Sequence, residues 1–466
     1  MDVLLLNLAN LVDEQGQEKK YLIKQVSVPP LGLLYLGQIL MDNNYSVKVY
    51  DQTVTGINNL ELMEFIKRLD PQIVGFSVII DNLGTTIDLF KKLKIWNPNL
   101  ITVAGNYFAT FFPEKLMEEI GLDFCIRGEG EYNLLNLVDT ISKQKQDFKE
   151  IKGLVFRENK IVKSNPIPEP AKNLDELPFP DRKLIDFNYK LQHKSTSILS
   201  SRGCPFKCRF CFFSAVMGKR WRARSVNNII EELQLLKEQG YRDILFVDDN
   251  FALSKKRVFQ LCSELKRNQL TDLNFSGDCR IDNVSLELLR ALVTINFKKI
   301  VYGIESGTQR ILDYYAKGTT IDQIKQAVAT AKKAQMEIIY GSFVLGAPNE
   351  TIQEAINTIK FAIKLDLSFI VPQILETIPI SPLYQEIVEK GYYKPQVEDW
   401  KKSLRVPDIC PTAIPTKKLL KLIDEGFIRF FNKKKIIKII FDALKKDFYI
   451  NSLIYSIKNF KKGVID

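Results

Sequence analysis

Short apolar runs alternate with amphipathic segments along the first 145 residues. The runs Val3–Leu8, Ser46–Tyr50, Ile73–Val78 and Ile101–Ala104 have strand length, and helical spacing marks Leu31–Asn43, Leu60–Leu69 and Thr85–Trp96. Strands buried on both faces and separated by crossover helices predict a doubly wound parallel sheet. A hairpin is predicted around Glu158-Asn159, and five prolines between Pro166 and Pro180 then break any period, which marks a stiff linker. From Ser195 the alternation resumes. Strands Ser195–Ser200, Asp243–Val247, Asn274–Asp278, Lys299–Ile304, Glu337–Val344 and Ser368–Ile374 are separated by helical patterns at 226–239, 255–267, 286–294, 309–315, 321–334 and 351–365. Six strands with outer helices predict a partial barrel whose functional mouth lies at the strands' carboxyl ends. The fold class is therefore α/β: a doubly wound parallel sheet over residues 1–145, a hairpin and Pro-rich linker over 146–194, a partial (β/α)6 barrel over 195–400, and a small helical region over 401–466.

Charge changes the picture mainly at the end of the chain. The formal net charge is +11, yet residues 417–466 carry thirteen Lys/Arg against five Asp/Glu, so the body is near neutral. A nucleic-acid footprint is therefore not expected. A basic amphipathic helix is predicted near Lys433–Lys446, with Ile437, Phe441, Leu444 and Phe448 on one face. Such a helix either closes over the barrel or makes peripheral contact with a membrane. No apolar window reaches the ~18 residues of a spanning helix, and the first residues lack a signal-peptide pattern. Seven cysteines, an odd number, suit a reducing cytoplasm better than a disulfide scaffold.

The chemistry concentrates in Ser201-Arg202-Gly203-Cys204-Pro205-Phe206-Lys207-Cys208-Arg209-Phe210-Cys211-Phe212. Its C-x3-C-x2-C spacing supplies three thiolates and no local fourth ligand. Three thiolates on a [4Fe–4S] cube leave one iron open, whereas a structural zinc site needs a closed shell. A zinc site would need a distant ligand such as Cys262, Cys279 or His193, and a redox loop is the other reading of cysteines this close. The polar segments Asp248-Asp249-Asn250, Gly277-Asp278-Cys279-Arg280, Gly303-Ile304-Glu305-Ser306-Gly307 and Leu345-Gly346-Ala347-Pro348-Asn349-Glu350 end the predicted barrel strands.

The cysteine spacing, with Phe210 before the last cysteine, resembles the signature of the radical S-adenosylmethionine (SAM) superfamily. The segments Pro29–Leu36, Pro71–Ser77 and Asp123–Glu131 resemble the cobalamin-binding domain found in front of many of its members. The resemblance implies that Cys204, Cys208 and Cys211 hold the cluster and that SAM chelates the open iron and is cleaved to a 5′-deoxyadenosyl radical. It implies SAM contacts from Phe210, Arg280, Glu305, Ser306 and Gly346, and cobalamin contacts from Gly32, Ser77, Asn106, Gly128 and Glu129. It also implies methylation of an unactivated carbon of a small-molecule, lipid or peptide substrate, with an electron donor such as flavodoxin or ferredoxin. The alternatives are a cyclase, dehydratase or rearranging enzyme without methyl transfer, a sheet domain kept as scaffold without cobalamin, and a non-enzymatic iron–sulfur or corrinoid module. The chain's single histidine, His193, lies outside the first region, so no imidazole of that region can be an axial cobalt ligand.

Overall fold

The computed structural model describes residues 1–11, 29–145, 147–185, 194–212, 216, 218–375, 380–394 and 414–431. They belong to two compact units. Of the described residues, one takes in those within Met1–Gly203 and Ala215–Asn228, and the other those within Cys204–Ser214, Ile229–Pro395 and Leu404–Asp466. His193 and the predicted amphipathic helix at Lys433–Lys446 lie outside the described residues.

The first sheet contains β1 (Val3–Asn7), β2 (Val47–Asp51), β3 (Ile73–Ser77), β4 (Ile101–Gly105), β5 (Phe124–Ile126), β6 (Leu154–Glu158) and β7 (Ile161–Ser164), in the order β2-β1-β3-β4-β5-β6-β7. Strands β1 to β5 pair in parallel. Side chains alternate across the sheet, so Leu4, Leu6, Val74 and Phe76 enter one core and Val3, Leu5, Ile73 and Val103 the other. That two-sided burial is why these runs are apolar throughout. The order 2-1-3-4-5 reverses between β1 and β3, and in such sheets the ligand crevice lies beyond the carboxyl ends at that point. The hairpin forms where the sequence places it, with Asn159 and Lys160 both at positive φ (51° and 68°), the turn that matches strand twist. It pairs antiparallel to β5 and so extends the first sheet.

The later strands are β8 (Ser195–Ile198), β9 (Ser201–Arg202), β10 (Arg222–Ala223), β11 (Asp243–Phe246), β12 (Asn274–Cys279), β13 (Phe297–Glu305), β14 (Ile338–Leu345) and β15 (Phe369–Ile374). The second sheet runs β15-β14-β13-β12-β11-β8, and β11 to β15 are parallel. Its six strands are those of the predicted partial barrel. One face of the β11–β15 run is apolar and buried: Phe246, Phe275, Ile300, Tyr302, Ile339 and Phe343 all lie on it. The opposite face carries accessible or half-buried Val247, Asp278, Lys299, Val301 and Gln373. The short antiparallel pair β9–β10 was not foreseen, because two-residue strands carry no readable period. Among the described residues no helix is long and apolar enough to cross a membrane.

Candidate cofactor site at the barrel mouth

The cysteine loop begins at a residue that must be glycine. Gly203 has φ +87°, and a Cβ there would stand 2.5 Å from the Arg220 carbonyl oxygen. Beyond it, Cys204, Cys208 and Cys211 are in no disulfide, Cys208 buried and the other two half-buried. Arg209 anchors the loop through its backbone: its N–H donates to the Tyr315 carbonyl (2.9 Å) and its carbonyl accepts from Leu383 N–H (2.9 Å). Its side chain pairs with Glu386 at 3.0 Å. Burial raises the Cys204 thiol, with Asp249 and Cys208 adding to the effect and Arg280 opposing it.

Arg280 brings a cation to this loop. Its Nη1 lies 3.7 Å from Cys208 Sγ, and its guanidinium stacks 3.6 Å from the Phe206 ring centroid. Arg280 is itself paired with Asp282 through Nε and Nη2 (3.0 and 2.8 Å), which fixes the guanidinium beside the buried sulfur. Cys262 and Cys279 are buried, and burial pushes Cys262 up to about 11 and Cys279 further still. On β12 the Cys279 side chain alternates to the face opposite Arg280 and Asp278. Among the described residues no group of three His, Cys, Asp or Glu side chains is drawn together as around a single ion. Three cysteine sulfurs on one loop are the donor type that an iron–sulfur cube takes.

The other residues expected at the mouth fall into three situations. Glu305, 5% exposed and at φ +67°, pairs through Oε1 with Lys317 Nζ at 2.7 Å. Arg280 Nη2 donates to the Lys317 carbonyl at 2.7 Å, so Cys208, Arg280, Lys317 and Glu305 form one connected set. Phe210 packs edge-on against Tyr315 (5.0 Å) and joins a cluster with Val344 and Ala347, which brings it to the Gly346 turn. Ser306 is turned away: it is fully buried, with Oγ 3.1 Å from Thr358 Oγ1 and accepting from Thr308 N–H. The next residue, Gly307, lets this happen, since a Cβ there would lie 2.6 Å from Phe361 Cβ.

Gly346, at φ +92°, donates its N–H to Glu350 Oε2 at 2.5 Å, and Ala347 N–H donates to the same oxygen at 3.1 Å. Glu350 is fully buried and its Oε1 has no hydrogen-bond partner. Burial, outweighing the two N–H donors, pushes its carboxyl from 4.5 to about 7. A folded-state pKa above the unfolded one means the native protein holds this proton longer. Stability is therefore present in full below about pH 4.5 and is lost by up to about 3 kcal/mol as pH rises to about 7. Thermal midpoints of the parent and Glu350→Gln, compared from pH 4.5 to 8, are expected to converge at the acid end and separate in the variant's favour towards pH 8.

On the first sheet, Ser77 ends β3 and Asn106 follows β4, and Asn106 Nδ2 donates to Ser77 Oγ at 2.9 Å. Asn106 sits at φ +77°. Gly32 opens the helix after β1, and a Cβ at Gly32 or Gly105 would meet nothing within 4 Å. Ser77, Gly105 and Asn106 thus lie at the carboxyl ends of β3 and β4, the edge of such a sheet at which ligands bind. Gly128, at φ +76°, donates its N–H to Thr110 Oγ1 at 3.1 Å. Glu129 is engaged elsewhere. Arg222 grips it with two bonds (2.7 and 3.1 Å), Arg202 approaches at 3.2 Å, and Ala171 N–H donates at 2.8 Å. Arg202 also pairs with Glu131 at 2.5 Å. Burial pulls the Glu129 carboxyl up, but the two arginines outweigh it and hold it below its ordinary value.

Lys317, Phe206, Arg222 and the partnering of Glu129 were not singled out in the sequence. Lys317 stands in the turn Ala316-Lys317-Gly318, where a lysine ordinarily reads as solvated.

A doubly wound sheet and a partial barrel whose mouth carries a three-cysteine loop and an arginine define a class: radical SAM proteins preceded by a cobalamin-binding domain. The model of the Radical SAM superfamily matches residues 198–362, and that of the B12 binding domain matches residues 25–138. An uncharacterized methyltransferase of Pyrococcus horikoshii is 34% identical over 420 residues, covering 89% of this chain and 90% of its own. The anaerobic magnesium-protoporphyrin IX monomethyl ester cyclase of Rubrivivax gelatinosus is 27% identical, with 88% and 75% covered. The structure of the radical SAM methyltransferase TsrM from Kitasatospora setae superposes with a TM-score of 0.71 at 21% identity, covering 84% of this chain and 76% of that one. The chain belongs to the family of B12-binding-domain radical SAM proteins.

Proposed function

We propose that this protein is a cobalamin-dependent radical SAM methyltransferase acting on an unactivated carbon. The observation that carries the reading is the convergence, at the barrel mouth, of the three-cysteine loop with Arg280 and Glu305, in a chain that also matches a B12-binding domain. When bound, the cluster and SAM supply a hydrogen-abstracting radical, and cobalamin supplies a methyl group. In this reading Cys204, Cys208 and Cys211 ligate the cluster. Arg280 balances its charge, Glu305 accepts from SAM's N–H or O–H groups, Gly346 lets backbone approach the ligand, and Phe210 shapes the loop. Ser306 serves by fixing the turn after Glu305. Cobalamin lies over Gly32, Ser77, Asn106 and Gly128 in the region 1–145, while the barrel of 195–400 holds cluster and SAM. The substrate is a small molecule, lipid or peptide, and a flavodoxin- or ferredoxin-like donor supplies electrons.

The test is anaerobic reconstitution with iron, sulfide and hydroxocobalamin. About four irons and one cobalt per chain are expected. On addition of SAM and reductant, 5′-deoxyadenosine and S-adenosylhomocysteine should appear together. The similarity to the Rubrivivax cyclase favours a second reading, radical chemistry without methyl transfer, and 5′-deoxyadenosine without S-adenosylhomocysteine would select it.

A further inference from the structure

Buried ion pairs are expensive. Two charges taken out of water lose several kcal/mol of hydration each, and a well-packed apolar pair often does as well. Lys317 and Glu305 nevertheless form such a pair, with both side chains 7% exposed and a 2.7 Å contact. Glu305 adds backbone cost, since a non-glycine residue at φ +67° is uncommon. The strand is irregular at the same place: the register of β13 against β14 slips between Gly303 and Glu305. Gly303 makes room for the pair, because a Cβ there would stand 2.6 Å from Glu305 Oε1 and 2.8 Å from Lys317 Nζ.

Lys317 acts twice. Its ammonium takes Glu305 Oε1, while its carbonyl accepts from Arg280 Nη2 at 2.7 Å, and Arg280 in turn lies 3.7 Å from Cys208 Sγ. Only one oxygen of Glu305 is thereby used, and Oε2 makes no hydrogen bond to another described residue. The result is a fixed carboxylate with one acceptor left over, held in register with an arginine at the cysteine loop.

We propose that the Lys317 side chain is a positioning group for SAM: its ammonium holds Glu305 so that Glu305 Oε2 meets a donor group of SAM bound at the cluster, while Arg280 is held separately, by the backbone carbonyl of residue 317 and by Asp282. The proposal rests on the functional reading above. The effect of the Lys317 ammonium passes through Glu305, the side chain it holds.

Three variants of the full chain test this after anaerobic reconstitution: Lys317→Met, Lys317→Arg and Gly303→Ala. In Gly303→Ala the added methyl meets only the ends of two flexible side chains, so the backbone is undisturbed and the pair is displaced. Readouts are iron content, the SAM dissociation constant by equilibrium dialysis, and the SAM-induced change in the electron paramagnetic resonance spectrum of the reduced cluster. A hydrogen bond to a charged group is worth roughly 1.5–3 kcal/mol, or about ten- to a hundredfold in affinity. Lys317→Met and Gly303→Ala are expected to keep their iron, bind SAM at least about tenfold more weakly, and lose the spectral change; Lys317→Arg should fall between them and the parent. Either of the first two with full iron and the parent's SAM affinity overturns the proposal, and if Lys317→Met does not load iron, Gly303→Ala decides alone. A parent whose spectrum ignores SAM would instead bring down the functional reading, and this proposal with it.

Discussion

Cys208→Ala, reconstituted anaerobically, is expected to hold less than about one iron per chain where the parent holds about four, and to form no 5′-deoxyadenosine. The reason is coordination number. With three protein thiolates on the cube, removal of one leaves two, and among the described residues Cys262 and Cys279 are buried, their thiols raised by burial. Cys208 should be the most damaging of the three, because it is the buried one and the one Arg280 approaches. Cys204→Ala and Cys211→Ala should follow closely. Iron and sulfide analysis with visible absorption checks this, and retention of about four irons in Cys208→Ala would move the metal centre elsewhere in the chain.

Glu129→Ala should produce the largest loss of stability. The carboxylate satisfies Arg222 through two bonds and supports Arg202, whose side chains are only 5% and 7% exposed. Removing one partner of a buried pair leaves an uncompensated charge and costs about 3–5 kcal/mol. For a chain of this size that lowers the thermal midpoint by about 3–5 °C. Glu129→Gln, which keeps acceptor and shape, should cost less. Arg202 precedes Cys204 by two residues and Arg222 lies on β10, so cluster loading should also fall in Glu129→Ala. Cobalamin uptake separates the alternatives. A variant with the parent's thermal midpoint that no longer takes up cobalamin would make Glu129 a cobalamin contact and not a clamp on the two arginines.

Glu129 also shows where reading the chain alone runs out. Its motif, Arg127-Gly128-Glu129-Gly130-Glu131, was legible as a loop at the carboxyl edge of the first sheet, and the structure puts it there. What the carboxylate does was not legible, because Arg222 is 93 positions away and nothing in local spacing encodes that meeting. Ser306 is a parallel case. It sits in the expected segment, but Gly307 lets the helix Ile352–Lys364 approach so closely that Thr358 captures its hydroxyl. At β9–β10 the miss has a different cause, since two residues are too few to show a period.

What the amino-acid order determined by itself is whatever local chemistry enforces. Apolar runs of strand length set two successive sheets built on parallel strands, short strand patterns either side of Glu158-Asn159 set the hairpin, and three cysteines within eight residues must share one loop wherever that loop ends up. What only the tertiary structure decided is the partnership of the charges, Lys317 with Glu305 and Arg222 with Glu129, and the approach of Arg280 to Cys208. Apolar burial repeats with the period of a helix or strand and can be read along the chain. A buried charge is tolerated only where packing delivers a counter-charge or a hydrogen-bond donor, and that delivery depends on how distant segments are brought together.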